Sequence, residues 1–342
     1  MTKIDIFSGF LGAGKTTLIR KLISEAFKGE KLVLIENEFG EIAIDGGFLQ
    51  DAGIEITEMS QGCICCSLVG DFGKALRQVL ETYHPDRILI EPSGVGKLSD
   101  VIRAVQNLHM EDVTLNSFTT VADANKCKMY MKNFGEFYND QIEHANSIIL
   151  SRTDGIKPEK LEACVALLRE HNQNATIITT PWDQLTGAQI LETMEHKNTL
   201  EEELKLLAEE TEHEHHHHDH DDDEDEHEHH HEHHYDEHGV CSCGHHHHHD
   251  HDADEVFTSW GKETAHKYSR EDLDKALHAL DEGAYGMILR AKGIVDGGDT
   301  WYEFDMVPGE HEIRTCGPDV TGKLCVIGSQ LKEHEIAELF HV

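Results

Sequence analysis

The segment with the clearest chemistry is a glycine-rich run near the start of the chain, Gly9-Phe10-Leu11-Gly12-Ala13-Gly14-Lys15-Thr16. It satisfies the Walker A pattern, in which backbone N–H groups of the loop cradle the phosphates of a nucleotide. Lys15 is predicted to bridge the β- and γ-phosphates and to act catalytically, and the Thr16 hydroxyl is predicted to coordinate Mg²⁺. The residues predicted to bind the nucleotide here are Gly9, Gly12, Ala13, Gly14, Lys15, Thr16 and Thr17.

A second candidate catalytic residue is the acid that follows the apolar run 87–90. The run predicts a strand that ends at Glu91-Pro92-Ser93-Gly94, and Walker B acids lie at the carboxyl end of a strand beside the Walker A loop. Glu91 is therefore predicted to orient water or to hold magnesium through water. A surface glutamate at a strand end is the alternative.

Base selection is assigned to a later loop, Ser151-Arg152-Thr153-Asp154, which follows the apolar run 147–150. The guanine-reading loop of P-loop GTPases usually runs Asn-Lys-x-Asp, and here only Asp154 remains of that pattern. Its carboxylate would accept from guanine N1–H and the exocyclic amine, whereas adenine presents an acceptor at the same place. We therefore expect Asp154 to favour GTP over ATP, with Arg152 packing its stem over the base.

Three thiols lie within four residues in Cys63-Ile64-Cys65-Cys66. Three thiolates supply three soft ligands of a tetrahedral site, and a carboxylate, a histidine or a partner's ligand would complete it. An incomplete ligand set suits a metal that must leave again. Buried, unreactive cysteines are the alternative.

These motifs resemble those of the CobW-type metallochaperone GTPases, in the Walker A run, the segment 36–41 (Glu-Asn-Glu-Phe-Gly-Glu), the three-cysteine motif and Glu91-x-x-Gly94. The run Leu289-Arg290-Ala291-Lys292-Gly293 resembles the signature of that family's C-terminal domain, and the resemblance covers nearly the whole chain. It implies GTP hydrolysis and binding of Zn²⁺, or of Co²⁺ or Ni²⁺, for delivery to a client metalloprotein. The metal ligands that it implies are Cys63, Cys65 and Cys66, with Glu36 and Glu41 as metal neighbours.

A strongly acidic and histidine-rich segment divides the chain. Residues 206–261 contain 19 of the 66 acids and no Lys or Arg, and residues 213–251 contain 19 of the 29 histidines. Such a segment has too little apolar surface to offset the entropy of ordering, so it is predicted to be a disordered linker. Its imidazoles would bind zinc, cobalt, nickel or copper. A solvated acidic spacer is the alternative.

The elements that must position these residues follow from the hydrophobic pattern. Short β-branched runs alternate with amphipathic stretches, which predicts an α/β P-loop NTPase domain with a mainly parallel sheet. Beyond the linker the pattern predicts a small α+β domain with one strand, a helix capped by Ser269, three strands and a last helix. The predicted boundaries are 1–205 for the GTPase domain, 206–255 for the linker and 256–342 for the C-terminal domain.

Charge and composition exclude several classes of partner. The 29 Lys and Arg against 66 Asp and Glu give a formal charge of −37, which disfavours nucleic acid and anionic membrane surfaces. No run of about 18 apolar residues occurs, and Met1-Thr2-Lys3 leads directly into an apolar run, so we expect a cytoplasmic protein. The nine cysteines should then be reduced. Each of Cys127, Cys164, Cys316 and Cys325 stands alone in a helical or strand pattern and is expected to pack in the core.

The sequence therefore predicts a GTPase that loads a divalent metal at its cysteines and passes it to a client. The alternative is a metal buffer or storage protein whose nucleotide site only tunes affinity, and metal-independent hydrolysis would favour it. An ATP-using small-molecule kinase is disfavoured by Asp154 and by the lack of an evident acceptor-base motif. The physiological metal, the client and the oligomeric state, with a homodimer among the options, are left open.

Overall fold

The computed structural model describes residues 1–36, 70–107, 110, 112–196 and 258–342. Within these described ranges, twelve elements precede residue 197 and seven follow residue 257. The first group is β1 (Thr2–Gly9), α1 (Lys15–Glu25), β2 (Leu32–Glu36), α2 (Gly70–Tyr83), β3 (Arg87–Glu91), α3 (Leu98–Gln106), β4 (Val113–Asp123), α4 (Cys127–Glu143), β5 (Ser147–Ser151), α5 (Pro158–His171), β6 (Thr176–Ile178) and α6 (Gly187–Met194). The second group is β7 (Thr258–Thr264), α7 (Arg270–Asp281), β8 (Met287–Asp296), β9 (Trp301–Val307), β10 (Glu310–Cys316), β11 (Gly322–Ser329) and α8 (Glu333–Leu339).

The first sheet is parallel throughout, in the order β2-β3-β1-β4-β5-β6. Alternate residues of its strands enter two cores, one on each face. Ile4 and Ile6 pack with residues of α2 to α5, whereas Phe7 and Leu89 pack with residues of α1 and α6. Burial on both faces explains why these strands are continuous apolar runs, and it confirms the predicted α/β P-loop architecture.

The parallel order gathers the carboxyl ends of the strands at one edge. Strand β1 lies between β3 and β4, so the loop after β1 is flanked by the residues that follow β3 and β4. Strand β5 pairs with β4 and brings the loop after Ser151 to the same edge. This is the edge at which open α/β sheets bind ligands.

The second sheet is antiparallel, in the order β10-β9-β8-β11-β7, and helices α7 and α8 accompany it. Its core includes Trp260, Leu273, Phe304 and Phe340, and the predicted α+β class is confirmed. The prediction of three strands between the helices was wrong, because there are four. Strands β9 and β10 are separate arms of a hairpin whose two-residue turn, Pro308-Gly309, is too short to show as a break in the pattern.

The two sheets contact each other through the segments that follow β6 and precede β11. There, Thr179 N donates to Val320 O at 3.0 Å. A separate contact joins α5 to β7, where Arg169 Nη2 donates to Glu263 Oε2 at 2.6 Å. The predicted linker, 206–255, lies outside the described residues, so the three domain boundaries stay predictions. In the described ranges, no helix is long and apolar enough to cross a membrane.

Candidate functional site

The loop between β1 and α1 requires glycine for steric reasons. Gly9 has φ +141°, and a Cβ there would collide with the carbonyl oxygen of Val121 on the neighbouring strand. Gly14 has φ +107°, a left-handed conformation, and forms the N-cap of α1. The loop therefore turns sharply from the end of β1 into the first turn of the helix, as the Walker A pattern predicts.

The amino end of α1 is suited to an anion. Gly14 makes no side-chain cap, and the first turn of the helix contains no acidic residue. The first N–H groups of a helix have no partners within the helix, and the helix dipole favours negative charge there. A phosphate group would therefore find donors rather than a competing carboxylate at this helix end.

Lys15, Thr16 and Glu91 lie together at the start of α1. Lys15 is only 8% exposed, and its Nζ donates to Gly9 O at 3.0 Å and lies 4.0 Å from Glu91 Oε1. The Thr16 hydroxyl donates to Glu91 Oε1 at 3.1 Å. Hydroxyl and carboxylate oxygens are the ligands that Mg²⁺ prefers, so these residues fit the predicted magnesium site. Their roles stay predictions.

Glu36 is the last residue of β2 and stands opposite Glu91 in the register of the sheet. The segment that begins at residue 37 therefore starts directly beside the strand end that carries Glu91. The predicted metal residues Glu41, Cys63, Cys65 and Cys66 all belong to residues 37–69 and lie outside the described residues.

A cavity of about 380 Å³ lies beside this loop. Its walls come from the phosphate loop, from the predicted base loop and from the segment after β6. Asp154 is exposed and lines the cavity, so the structure brings it to the same space as the phosphate loop. The lining residues are Ala13, Gly14, Thr17, Ser151, Arg152, Thr153, Asp154, Pro181, Trp182 and Asp183.

Arg152 connects the base loop to the phosphate loop. Its φ is +58°, its Nη2 donates to Gly12 O at 3.2 Å, and its Nε lies 3.2 Å from Asp123 Oδ2 at the end of β4. The side chain therefore extends across the cavity wall from β5 to the phosphate loop. The sequence had assigned the Arg152 stem to packing over the base, and the placement in the cavity wall leaves that prediction open.

Two residues that make contacts at this edge, Gln141 and Trp182, were not predicted from the sequence. Gln141 is fully buried on α4, and its Nε2 donates to Gly94 O at 3.2 Å and to Gly96 O at 2.8 Å, which holds the segment after Glu91. Trp182 donates from Nε1 to Leu150 O at 2.9 Å and packs against Gly14. A polar residue in an amphipathic helix and one tryptophan in a loop give no pattern that predicts these contacts.

The predicted core packing of Cys127 and Cys164 is confirmed, and the two thiols are also neighbours. Both are buried, as predicted, but they face each other across α4 and α5 with a Sγ–Sγ distance of 3.1 Å, and the Tyr138 hydroxyl donates to Cys127 Sγ at 3.1 Å. Donation to Cys127, together with burial, raises the pKa of the Cys164 thiol. Cys325 is buried and Cys316 is half-buried.

Two regions of the chain match described families. Residues 3–179 match the family described as "CobW/HypB/UreG, nucleotide-binding domain", and residues 257–342 match "Cobalamin synthesis protein cobW C-terminal domain". Together these ranges contain both sheets.

Individual relatives are similar over part of their length. The protein named zinc chaperone YeiR from Escherichia coli is 29% identical over 188 residues, which are 55% of this chain and 57% of the relative. The protein named zinc chaperone CobW from Sinorhizobium sp is 33% identical over 187 residues, 46% of this chain and 52% of the relative. The chain thus spans about half the length of the curated relatives it matches. The solved structure of Zn(II)-bound YjiA GTPase from E. coli aligns with 99% of this chain and 98% of its own at 21% identity and a TM-score of 0.44.

Proposed function

Because the chain belongs to the CobW/HypB/UreG family, we propose that it is a GTP-hydrolysing metallochaperone, which loads a divalent metal and delivers it to a client metalloprotein. The observation that carries the proposal is the convergence of Lys15, Thr16 and Glu91 at the amino end of α1. Two of the relatives are named zinc chaperones, which makes zinc the first choice of cargo, with cobalt and nickel as the other candidates. The ligand types accept all three ions.

In the hydrolytic step, the glycine loop and the amino end of α1 would hold the phosphates, and Lys15 would stabilise the negative charge on the transferring group. Mg²⁺, held by the Thr16 hydroxyl, would neutralise charge on the β- and γ-phosphates. Glu91, whose carboxylate already accepts from Thr16, would bind magnesium through water or orient the attacking water. Gln141 would position the Gly94 segment through its two amide donations.

The base would occupy the cavity that Asp154 lines, beside Thr17 and Trp182. Asp154 would accept two hydrogen bonds from guanine. With adenine, the same carboxylate would face a ring nitrogen that is itself an acceptor, and two acceptors form no hydrogen bond. The resulting preference for GTP over ATP is part of the proposal.

Metal would bind at Cys63, Cys65 and Cys66. The segment that carries them is tied at one end to Glu36, which stands next to Glu91 in the sheet. A change of charge at the γ-phosphate can order or release a segment that is joined to the nucleotide edge. We therefore propose that GTP favours the metal-binding arrangement and that GDP favours release. The histidines of 213–251 would collect metal, and the C-terminal domain would recognise the client in the cytoplasm.

A metal titration would test the division between the cysteine site and the histidine segment. We expect two affinity classes in the full chain, because the cysteines form one compact ligand set, whereas the histidine segment must lose chain entropy when it binds. Replacing Cys63, Cys65 and Cys66 with Ser should remove the one tight site, and deleting 213–251 should remove several weaker ones.

Cys316→Ser is the matched control, since this half-buried thiol belongs to no proposed site, and both classes should persist in it. Loss of the tight class on linker deletion alone would reverse the assignment. Turnover of GTP and ATP measured on the same samples would separate the functions, because hydrolysis that ignores bound metal would favour the metal buffer.

A further inference from the structure

Three metal-ligating side chains converge on the C-terminal domain, far along the chain from the cysteine motif. Asp274 and His278 lie on α7, and His311 lies on β10. One ligand atom from each of the three residues lies within 4.8 Å of the other two. Asp274 and His278 are four residues apart on a helix and therefore share one face of it, and that face meets the strand that carries His311.

The spacing of these atoms suits a tetrahedral ion. His311 Nε2 lies 3.0 Å from Asp274 Oδ1, and His278 Nδ1 lies 3.7 Å from Asp274 Oδ2. Ligands at 2.0–2.1 Å from a tetrahedral zinc ion are separated by about 3.3 Å, which lies between these two distances, measured to the two oxygens of the Asp274 carboxylate. His278 Nδ1 also lies 3.0 Å from the Asp274 backbone oxygen, so the His278 ring would turn to bind an ion. The two imidazole rings are 4.6 Å apart and nearly perpendicular, in an edge-to-face contact that keeps His278 and His311 next to each other.

The ligands are held by a rigid scaffold and remain accessible. Helix α7 is anchored through Leu273 and Leu277, which are fully buried, and β10 is paired with β9 along its whole length. His278 is 68% exposed, which lets an ion enter and lets its ring turn with little change elsewhere.

We propose that Asp274, His278 and His311 form a further metal site, separate from the cysteine motif and the histidine segment, which binds Zn²⁺ or a similar transition-metal ion with water as the fourth ligand. Two imidazoles and one carboxylate are a ligand set for zinc, cobalt, nickel or copper, whereas Mg²⁺ and Ca²⁺ prefer oxygen ligands alone. An open fourth position and an exposed histidine make it a site of exchange rather than a closed structural site. The proposal does not depend on nucleotide hydrolysis or on the cysteine motif.

The competing explanation is a surface hydrogen-bond network that only fastens α7 to β10. The chain offers a comparison, because His334 and Glu338 on α8 have the same four-residue spacing and a His334 Nε2 to Glu338 Oε1 distance of 3.4 Å. Within the described residues, this pair has no third ligand that completes a group of three. A single imidazole and carboxylate provide too few ligands for a specific ion, so His334→Ala is the matched control.

The test is hydrogen exchange of the full chain, followed peptide by peptide while a chelator buffer sets the free Zn²⁺ concentration. The buffer fixes the free ion whatever the cysteines and the histidine segment bind, and the peptides covering 270–281 and 310–316 report only on this site. At free zinc ten times the dissociation constant, binding to the native state should slow exchange through local opening about tenfold in both peptides. Mg²⁺ at the same concentration should leave both peptides unchanged.

His278→Ala and Asp274→Asn should each abolish the slowing, and His334→Ala should keep it. A His311→Ala variant could disturb the β9–β10 hairpin and is therefore not used. His278 is exposed, so its replacement removes a ligand without disturbing the fold. The proposal is overturned if wild-type exchange in these peptides is insensitive to zinc up to 100-fold molar excess. It is equally overturned if the slowing survives in His278→Ala and Asp274→Asn, since other ligands would then bind the ion.

Discussion

The two edges of the parallel sheet differ in how their charged residues are arranged. At the edge formed by the amino ends of the strands, Arg87 is 2% exposed and donates to Asp5 at 2.5 Å, to Glu30 at 2.6 Å and to Glu195 at 3.0 Å. At the carboxyl edge, Lys15 lies 4.0 Å from Glu91, and Thr16 and Asp154 are exposed. One edge surrounds a buried cation with acids, whereas the other spaces its charged groups around a loop and a cavity.

This difference separates structural from functional charge. The Arg87 guanidinium is held by acids from three separate segments, which raise its pKa further even though burial by itself would lower it. Such a network pairs its charges with one another and ties β1, β3 and the residue after α6 together. The carboxyl edge leaves a helix terminus and a cavity of about 380 Å³, so its groups are arranged for a molecule that comes and goes.

The largest effect is expected at the amino edge. Arg87→Met should lower the free energy of unfolding by about 3 to 5 kcal/mol, because it leaves the fully buried Asp5 without its cation, whereas Glu195 keeps its ion pair with Lys3 at 2.7 Å. Urea denaturation would measure the change. Arg103→Met is the control, since among the described residues this exposed arginine pairs only with its helix neighbours Asp100 and Ser99. The turnover number of the folded Arg87→Met protein should equal that of the wild type. A large fall in turnover at unchanged stability would show that Arg87 serves catalysis rather than stability, which would contradict the distinction between the two edges.

Lys15→Ala should produce the reverse result. We expect the turnover number for GTP to fall by about 10²- to 10³-fold, because one positive donor to the transferring phosphoryl group is lost. Stability should change little, since Lys15 contacts the loop carbonyl of Gly9 rather than either core. Phosphate release and urea unfolding would be measured on the same sample. Lys21→Ala is the control, since Lys21 pairs with Glu25 on α1 and belongs to no proposed site. If folded Lys15→Ala hydrolysed GTP at the wild-type rate, the catalytic role proposed for the carboxyl edge would be wrong.

A smaller effect is expected in the cavity. Asp154→Asn should reduce the preference for GTP over ATP by about 10- to 100-fold, the cost of one or two hydrogen bonds to a charged acceptor. Competitive binding of the two nucleotides measures this ratio directly. Asp183→Asn is the informative comparison, because Asp183 lines the same cavity. If selectivity followed Asp183 and not Asp154, the segment after β6 would be the base reader.

The carboxyl edge was largely predictable because its residues follow strands in a parallel sheet. Glycines at Gly9 and Gly14 and the acid at Glu91 are local signals, and the parallel order alone places them together. The Arg87 network was not predictable, since it joins residues up to 108 positions apart and leaves no spacing in the sequence. The same reason hid the pairing of Cys127 with Cys164 and the approach of His311 to Asp274 and His278.

The central claim, that the carboxyl edge couples nucleotide to metal, has one direct test. Linkage requires that GTP and metal alter each other's affinity equally, and a useful switch needs about 1 to 3 kcal/mol, or about 5- to 150-fold. Zinc affinity would be measured by competition with a chelating dye, in a non-hydrolysable GTP analogue and then in GDP at fixed free Mg²⁺. The protein would lack 213–251 and carry His278→Ala, so that only the cysteine site reports.

We predict affinity at least fivefold tighter with the GTP analogue than with GDP, and a ratio of one in the Cys63, Cys65 and Cys66 serine variant. Equal affinity in the two nucleotide states would contradict the account, because the nucleotide would then have no thermodynamic means of loading or releasing the metal.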